Sequence, residues 1–403
     1  MFSTLKNAFK VKEIRAKLLN MLIVLVIVRL GTFIPVPGIN INALHNAGAS
    51  DTLYSLITGG NYGTIFAMGI GPYITASIIM QLLTVAIPRL EQIQKDGEEG
   101  RKKISQYTRI MSVALAFLQG AGQVYTIHSA FKNPNWYVYI VALFTMVSGT
   151  IFIMWLGEKL TEIGIGNGAS FIIFANILSG LGTGVNSLIT AASGSAMGWV
   201  KIVVILAILF VVMVFVVLVS DVQYSNKLAG GSRMMVGGQT SFIPIKVNIA
   251  GVMSIIFAIS ILQFPYTINQ LIQSTTLSKI SNVLSTHHPV ILIFCFTFFY
   301  TSFAFNPVEV AENMKKNGGF VPGIRPGKPT SDYIQKIVDR ISLIGAFAYS
   351  IIAMVPVVLN WVTGVNMGFG GTTLLIVTGV ALEIIKQLES QLVKRHYTGF
   401  LNK

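Results

Sequence analysis

Charged residues are scarce in this sequence: they make up 11% of its 403 residues, whereas a soluble domain carries about 25%. Apolar residues make up 53% of the chain, and it has no low-complexity linker or long polar segment that would form a separate soluble domain. This balance excludes an ordinary soluble protein. It predicts an all-α polytopic membrane protein whose helices each cross the bilayer with about 20 apolar residues.

Cysteine occurs once, as Cys295 in an apolar run, so a disulfide within the chain and a cysteine-based zinc site are both excluded. Ionisable side chains are also scarce in the apolar runs. The 15 acidic residues and five histidines lie in the connections, in the tail or at the ends of runs. A membrane enzyme or a proton-coupled transporter needs such groups at bilayer depth. The sequence therefore argues against catalysis, and we expect no cofactor and no metal.

Ten apolar runs are candidate membrane spans. They cover residues 18–35, 64–87, 105–127, 136–156, 168–190, 199–220, 248–272, 289–309, 337–359 and 366–386. Ten spans place both termini on one side of the membrane. All but four of the 29 Lys and Arg residues fall on that side, the exceptions being Arg29, Lys132, Lys201 and Lys279. The positive-inside rule makes that side cytosolic.

Arg29 is the only charge in the middle of a span. A charge that faces lipid costs several kcal/mol, so this side chain is expected to face protein, backbone carbonyls or water. We favour a structural role at the helix end or against a re-entrant segment. Direct contact with a substrate is the alternative.

The second span is interrupted by the stretch "GIGPYITASI", whose glycines and proline break helices. The seventh span begins with a comparable stretch, "NIAGVMSIIF". Interrupted spans at corresponding positions of two halves predict a site near the bilayer midplane, because irregular backbone at that depth must be buried in protein or line a cavity. The alternative is that glycines such as Gly59 and Gly63, spaced as GxxxG, only let helices pack closely.

Isoleucines and small polar groups, not charges, occupy the predicted centre. A ring of branched aliphatic side chains closes a pore by steric fit and by excluding water, and it does not select ions by charge. The leading hypothesis is a protein-conducting channel. A secondary transporter of small solutes is the alternative, although it lacks an intramembrane acid, and a structural scaffold comes third because it needs no interrupted helices.

The connection "NMKKNGGFVPGIRPGKPTSDY" holds Arg325 between prolines and glycines that favour rigid turns. An arginine held outward offers a fixed fork of donors to a carboxylate or a phosphate. A protein motor, ribosomal RNA and a lipid headgroup all carry such groups, and a solvated loop without a partner is the alternative.

Several stretches, in order along essentially the whole chain, resemble the SecY family, the central channel subunits of the bacterial protein translocase. They are "VRLGTFIPVPGI", "IFAMGIGPYITASIIMQLL", "GEEGRKKISQYTR", "WLGEKLTEIGIGNGASFIIFANI", "IPIKVNIAGV", "NPVEVAENMKKNGGFVPGIRPGKPT" and "FGGTTLLIV". The resemblance implies a channel that translocates unfolded secretory polypeptides and releases membrane-protein helices laterally into the membrane. It also implies that the chain hydrolyses nothing and that a partner ATPase, the ribosome or the proton-motive force supplies the energy.

The fold implied by the resemblance has ten helices in two pseudo-symmetric five-helix halves, arranged as a clamshell. The halves would be residues 1–190 and 191–403, with a re-entrant plug at about 51–61 and cytosolic loops at about 221–247 and 310–336. Six positions would form the constriction of the pore. They are Ile70, Ile74, Ala169, Ile173, Ile256 and Ile376.

A lateral gate would open between spans two and three on one side and spans seven and eight on the other, with polar positions at Gln81, Gln119 and Asn248. The cytosolic loops would receive the motor ATPase SecA or the ribosome, and SecE and SecG would be membrane partners. The docking residues would be Arg325, Lys328, Lys315, Lys316 and Arg233. The location implied is the bacterial cytoplasmic membrane, with both termini cytosolic.

Three positions depart from the family pattern. Ala169 replaces a bulkier aliphatic residue, so the constriction would be looser there or completed by a neighbour. Ser254 stands where members often have proline. The loop after span six lacks the paired basic residues common before "QY", which puts the strength or choice of the cytosolic partner in question.

Overall fold

The structure is a computed structural model that describes most of the chain. The described residues are 9, 11–40, 63–132, 135–192, 196–221, 223–230, 241–246, 253–258, 260–261, 268, 289–316, 319–363 and 371–401. Within these ranges the chain is mainly helical, with one small sheet.

Six helices occupy the N-terminal part of the described chain. They are α1 (Lys12–Gly31), α2 (Gly71–Ala86), α3 (Pro88–Lys95), α4 (Gly97–Thr126), α5 (Trp136–Ile163) and α6 (Gly168–Ala192). A single 3₁₀ turn, His128–Ala130, follows α4. Successive helices pack on one another, α2 and α3 against α4, α4 against α5, and α5 against α6, while α1 lies against α5 and α6.

Five further helices and three strands follow. They are α7 (Ala196–Asp221), β1 (Gln223–Gly230), β2 (Ser241–Lys246), α8 (Pro289–Ala304), α9 (Pro307–Lys316), β3 (Gly319–Phe320), α10 (Lys328–Thr363) and α11 (Gly371–Leu401). Residues 253–258 are also helical. Helix α11 contacts α6, α7 and α10, so it joins the two sets of helices.

Four helical stretches within the described residues are long and apolar enough to cross a bilayer, and one of them combines α8 and α9. They are Trp136–Ile163, Gly198–Val219, Val290–Lys316 and Lys328–Val355. A fifth is added if α2 and α3, which meet at 103°, are counted as one broken span. The described helices overlap all ten predicted spans, but these criteria do not confirm a count of ten, which stays a prediction.

Two helix boundaries follow from local chemistry. Helix α2 ends where Ile87 turns to an extended backbone before Pro88, which begins α3. Helix α8 ends before Asn306, whose side-chain oxygen accepts bonds from the backbone N–H groups of Val308 (3.1 Å) and Glu309 (3.4 Å). Asn306 therefore caps α9, and the predicted span 289–309 is in fact two helices.

The two cytosolic loops of the prediction meet in one sheet. Strand β1 pairs antiparallel with β2 and also with β3, in the order β2-β1-β3. Ala229 lies opposite Phe320, and Gly230 lies opposite Gly319. Backbone hydrogen bonds thus connect the loop that follows α7 to the loop that precedes α10, in a sheet that was not predicted from the sequence.

The largest apolar cluster lies at the centre of the helices. It takes buried side chains from α1, α2, α5, α6, α7, α8, α10, α11 and the helical residues 253–258. A second cluster joins the segment after α1 to α4 and α5, a third joins α7, α10 and α11, and a fourth lies beneath the loop that carries Arg325. The predicted interruption of span two lies against the first of these clusters, because Phe66 and Ile70, which precede α2, are buried members of it.

Candidate functional site

Residues 63–70, which lead into α2, are turns and not helix. The Val36 N–H donates to the Gly63 carbonyl (2.8 Å) and the Ile65 N–H to the Ile34 carbonyl (3.0 Å), and Pro35 and Thr64 form an antiparallel bridge. Gly63 has φ +83°, in the region that favours glycine. Gly63 therefore allows a turn at this point. The alternative, that it lets two helices pack closely, was wrong for this residue, because it does not lie in a helix.

The six predicted constriction positions lie in one apolar cluster. Ile70, Ile74, Ile173, Ile256 and Ile376 are buried members of the central cluster, each with at most 8% of its surface exposed. Ala169 is partly buried and packs against the same cluster. These residues come from α2, α6, the helical residues 253–258 and α11, so helices distant in sequence supply one apolar centre.

Local structure points these side chains inward. Ile70 immediately precedes α2, and its carbonyl accepts the Ile74 N–H at 3.1 Å, which places the two isoleucines one turn apart on one face. Ala169 and Ile173 have the same spacing on α6. The Asn167 side-chain oxygen accepts the Ala169 N–H at 2.9 Å, so Asn167 caps the first turn of α6.

Ala169 lies where α5 and α6 approach closely. A methyl group at Gly157 would stand 3.1 Å from Ile70 Cδ1 and 3.7 Å from the Ala169 backbone. Gly157 thus brings the start of α2 and the start of α6 together. Phe171 and Ile172 on the same turn of α6 are buried in the central cluster, and they supply apolar surface beside the small side chain of Ala169.

Two of the three predicted gate residues lie in the described chain. Gln81 on α2 is partly buried and donates from Nε2 to the Ser77 hydroxyl at 3.3 Å, and Gln119 on α4 is buried. Gln123, one turn beyond Gln119, was not predicted from the sequence, and its amide is buried with no hydrogen-bond partner among the described residues. Its spacing of four from Gln119 was the available signal.

Ser254 is fully buried on the helical residues 253–258, and its hydroxyl oxygen lies 3.4 Å from that of Thr297 on α8. Thr297 also donates to the Ile293 carbonyl at 2.7 Å. Phe257 packs edge-to-face on Tyr300, with ring centroids 5.3 Å apart. The departure from proline at Ser254 therefore introduces a polar contact between the two elements predicted to form the second side of the gate.

Some predicted site residues lie outside the described residues. They are Asn248, Arg233, Gly59 and the plug at 51–61. Their roles stay predictions.

Arg109 on α4 and Glu158 on α5 form an ion pair, with Nε 2.9 Å from Oε1. The Glu158 side chain is mostly buried (18% exposed), and the Arg109 side chain is half exposed (51%). Two further ion pairs, Lys95–Glu91 and Lys159–Glu162, each lie within a single helix. This pair therefore joins a predicted gate helix to its neighbour.

Removal of this pair is expected to lower stability modestly, because half-exposed pairs contribute about 0.2–1 kcal/mol. We expect Arg109→Ala and Glu158→Ala to lower the melting temperature in detergent, and the double variant to lower it by less than their sum. Glu162→Ala, which removes an exposed pair with Lys159 inside α5, is the matched control and should change little. Full additivity at Arg109 and Glu158 would contradict the coupling.

The Arg325 side chain is exposed on a firmly held loop. Its carbonyl accepts the Thr330 hydroxyl at 2.9 Å, and the Ile324 N–H donates to the Val321 carbonyl at 3.0 Å. Gly323 and Gly327 have positive φ values of 85° and 105°. Buried residues of β3–α10 and α9 support the loop from below: Met314, Val321, Ile334, Val338 and Ile341.

Three lysines predicted for docking are exposed near this loop in sequence. Lys315 and Lys316 end α9, and Lys328 begins α10. No ion pair involves these lysines or Arg325 within the described ranges. The positive charges are therefore available to an outside partner.

Arg29 lies in the last turn of α1 and is half buried, with its guanidinium carbon 5.5 Å from the centre of the Phe33 ring. Its backbone carbonyl accepts the Thr32 hydroxyl at 2.7 Å. The guanidinium contact with Phe33 lies at the end of α1, and the structural role of Arg29 stays a prediction.

Comparisons with known proteins give one consistent result. The SecY family model matches residues 64–385. Proteins called "Protein translocase subunit SecY" from Streptomyces scabiei and Halalkalibacterium halodurans are each 40% identical, over 439 and 431 aligned positions, and each comparison covers 100% of both chains. The protein of the same name from Aquifex aeolicus is 37% identical and 99% covered on both sides.

Solved structures share the fold at low sequence identity. One, titled "The structure of a protein conducting channel", superposes with a TM-score of 0.66 at 19% identity and covers 94% of this chain and 93% of its own. "Sec61 in the Canine ribosome-channel complex from the endoplasmic reticulum" gives 0.64 at 19% identity with the same coverage. The family model, the full-length relatives and the shared fold agree, and the chain belongs to the SecY family.

Proposed function

We propose that this chain forms the protein-conducting channel of a protein translocase. It passes unfolded secretory polypeptides across the membrane and releases membrane-protein helices sideways into the lipid. The chain is a channel subunit and not an enzyme. A translocase relative at 40% identity over the full length supports this function.

One structural observation carries the proposal: aliphatic side chains from four separate elements converge on one buried apolar centre. Apolar side chains offer a passing ion no ligand to replace its water, so such a centre is closed to ions in the resting state. A flexible polypeptide can push the side chains apart without breaking any hydrogen bond or ion pair. Ile70, Ile74, Ala169, Ile173, Ile256 and Ile376 are the residues to which we assign this seal, and we assign the plug that completes it to residues 51–61.

The lateral exit lies between two helix pairs in this proposal. Helices α2 and α4 form one side, with Gln81 and Gln119, and the residues around 253–258 with α8 form the other, with Asn248. Residues 1–190 and 191–403 act as the two halves that separate there. The buried amide of Gln123 on α4 supports this assignment, because a polar group without a hydrogen-bond partner among the described residues weakens the packing around it.

The cytosolic sheet supports a docking role for the two loops. Because β1 pairs with β3, a partner that binds the Arg325 loop is also connected, through backbone hydrogen bonds, to the loop after α7. We assign docking of a SecA-type motor or the ribosome to Arg325, Lys328, Lys315, Lys316 and Arg233. One solved neighbour is a ribosome-bound channel by its title. SecE and SecG are the proposed membrane partners.

The membrane proposed is the bacterial cytoplasmic membrane, with both termini in the cytosol. The distribution of Lys and Arg supports this orientation, because the basic residues collect in the N-terminal segment and in alternate connections.

A depletion-and-rescue assay tests the function. A bacterial strain is depleted of its own channel subunit and supplied with this chain and compatible partners, and processing of a secreted preprotein is followed by pulse-chase labelling. We expect export to recover with this chain and not with an empty vector. If a correctly inserted and abundant chain restores no export, the proposed function is wrong.

A further inference from the structure

Two glycines from different helices enclose the segment that leads into α2. A methyl group at Gly31 of α1 would overlap the ring of Phe66, and one at Gly149 of α5 would overlap the backbone carbonyl oxygen of Ile65. Neither overlap is ordinary contact, so a larger residue at either position would displace its neighbour: the Phe66 ring at Gly31, and the backbone of the segment at Gly149. We call Gly31 and Gly149 the glycine saddle.

The segment on the saddle is also held from its other side. Two backbone hydrogen bonds and the Pro35–Thr64 bridge tie residues 63–65 to the chain that follows α1. Phe66 is 4% exposed and stacks on Phe152 of α5, with ring centroids 6.0 Å apart. Residues 65–66 are therefore fixed between α1 and α5 by backbone, side chain and close approach together.

A short run of turns connects residues 65–66 to Ile70 in the apolar centre. The Ala67 N–H donates to Thr64, the Gly69 N–H to Phe66 and the Gly71 N–H to Met68, at 3.0, 2.9 and 3.3 Å. These consecutive bonds leave little freedom between Phe66 and Ile70, which is fully buried four residues later. A shift of residues 65–66 is therefore transmitted to Ile70 and to the start of α2.

From this geometry we propose that Gly31 and Gly149 are positioning residues of the seal. They fix where the Ile65–Phe66 turn sits, and the turns that follow fix Ile70 in the apolar centre. The inference deepens the proposed function and rests on it for the claim that the centre is a seal. An ordinary packing glycine lets two helices touch, whereas both of these glycines face a non-helical segment that ends at a constriction residue.

The two overlaps differ in kind, which gives a distinctive expected pattern. At Gly31 the added methyl meets a side chain, so Gly31→Ala should be relieved by Phe66→Val, which has no atom beyond Cγ. At Gly149 the added methyl meets a backbone carbonyl, so Phe66→Val should not relieve Gly149→Ala. Gly71→Ala is the matched control, because nothing lies within 4 Å of its added methyl.

The first readout is ion leakage through purified channels in liposomes, which is measured as the decay of an imposed membrane potential. We expect Gly31→Ala and Gly149→Ala to raise the leak on the order of tenfold, as overpacking displaces the segment. Gly71→Ala should leave it unchanged. Addition of Phe66→Val should return Gly31→Ala to near the leak of Phe66→Val alone, and should leave Gly149→Ala leaky.

The second readout reports the position of Ile70 and does not depend on translocation. In a Cys295→Ser background, Ile70→Cys is probed with a water-soluble maleimide. We expect protection with the intact saddle and labelling with Gly31→Ala or Gly149→Ala. Ile205→Cys, buried between α7, α10 and α11, should stay protected in every background, which separates displacement of the segment from general unfolding.

Each outcome bears on one claim. If position 70 stays protected and the leak stays low in folded Gly31→Ala and Gly149→Ala channels, or if Phe66→Val relieves both variants equally, the saddle inference is overturned. If labelling at position 70 follows the expected pattern but the wild-type channel exports no preprotein with its partners, the positioning role stands and the proposed function fails.

Discussion

Arg325→Glu is expected to abolish preprotein translocation while leaving the amount of folded, membrane-inserted protein unchanged. The side chain is exposed, and its loop is held by backbone bonds and by the apolar cluster beneath it, not by the guanidinium. Reversal of the charge therefore costs little folding energy. A partner that offers a carboxylate or phosphate at this point would meet a like charge, which costs several kcal/mol of binding.

Lys336→Glu is the matched control for this prediction. It reverses a positive charge at an exposed site on α10, eight residues after Lys328 and outside the assigned docking residues. We expect motor-driven transport close to wild type for Lys336→Glu, and a residual rate near background for Arg325→Glu. Arg325→Lys should be intermediate, because lysine keeps the charge and loses the planar fork. Normal transport by Arg325→Glu would show that this loop does not dock the motor.

Ile74→Asn and Ile376→Asn are expected to raise ion leakage through the resting channel several-fold. Both positions are buried in the central cluster, with 8% and 2% of their surface exposed. An amide placed there without partners costs about 1–3 kcal/mol, and water that enters to solvate it relieves this cost. A wetted constriction conducts ions and lowers the barrier to polypeptides with weak signal sequences.

Two controls separate loss of the seal from loss of stability. Ile74→Leu and Ile376→Leu keep an aliphatic side chain of the same volume and should stay tight. Ile205→Asn places the same polar group in the cluster of α7, α10 and α11, and it should lower the melting temperature without raising the leak. Equal leakage from Ile205→Asn and Ile74→Asn would mean that the central cluster is only a core.

Much of the helical architecture could be predicted because its signal is local. Apolar runs set the spans, and "GIGPY" set the start of α2, which begins at Gly71 beside Pro72. The exposed Arg325 loop followed from its prolines and glycines. The break between α8 and α9 at Asn306 lies within a run that was predicted as one span from its hydropathy, although asparagine at a helix start was a readable signal.

What the sequence did not reveal depends on contacts between distant residues. Strand β3 has two residues and pairs with β1 about 90 positions earlier, so no local pattern indicates it. The glycine saddle has the same origin, because Gly31 and Gly149 meet residues 65–66 only in the folded chain. The constriction residues came from the family resemblance, since an isoleucine that lines a pore has the same local signature as one in an ordinary core.

The central claim is that translocating polypeptides pass through the apolar centre. The most direct measurement is site-specific photocrosslinking in a stalled translocation intermediate, with a photoreactive amino acid placed at Ile376 or, as the control, at Ile205. We predict crosslinks from position 376 to the stalled preprotein and none from position 205. A stalled preprotein that crosslinks to neither position, or equally to both, would contradict the account.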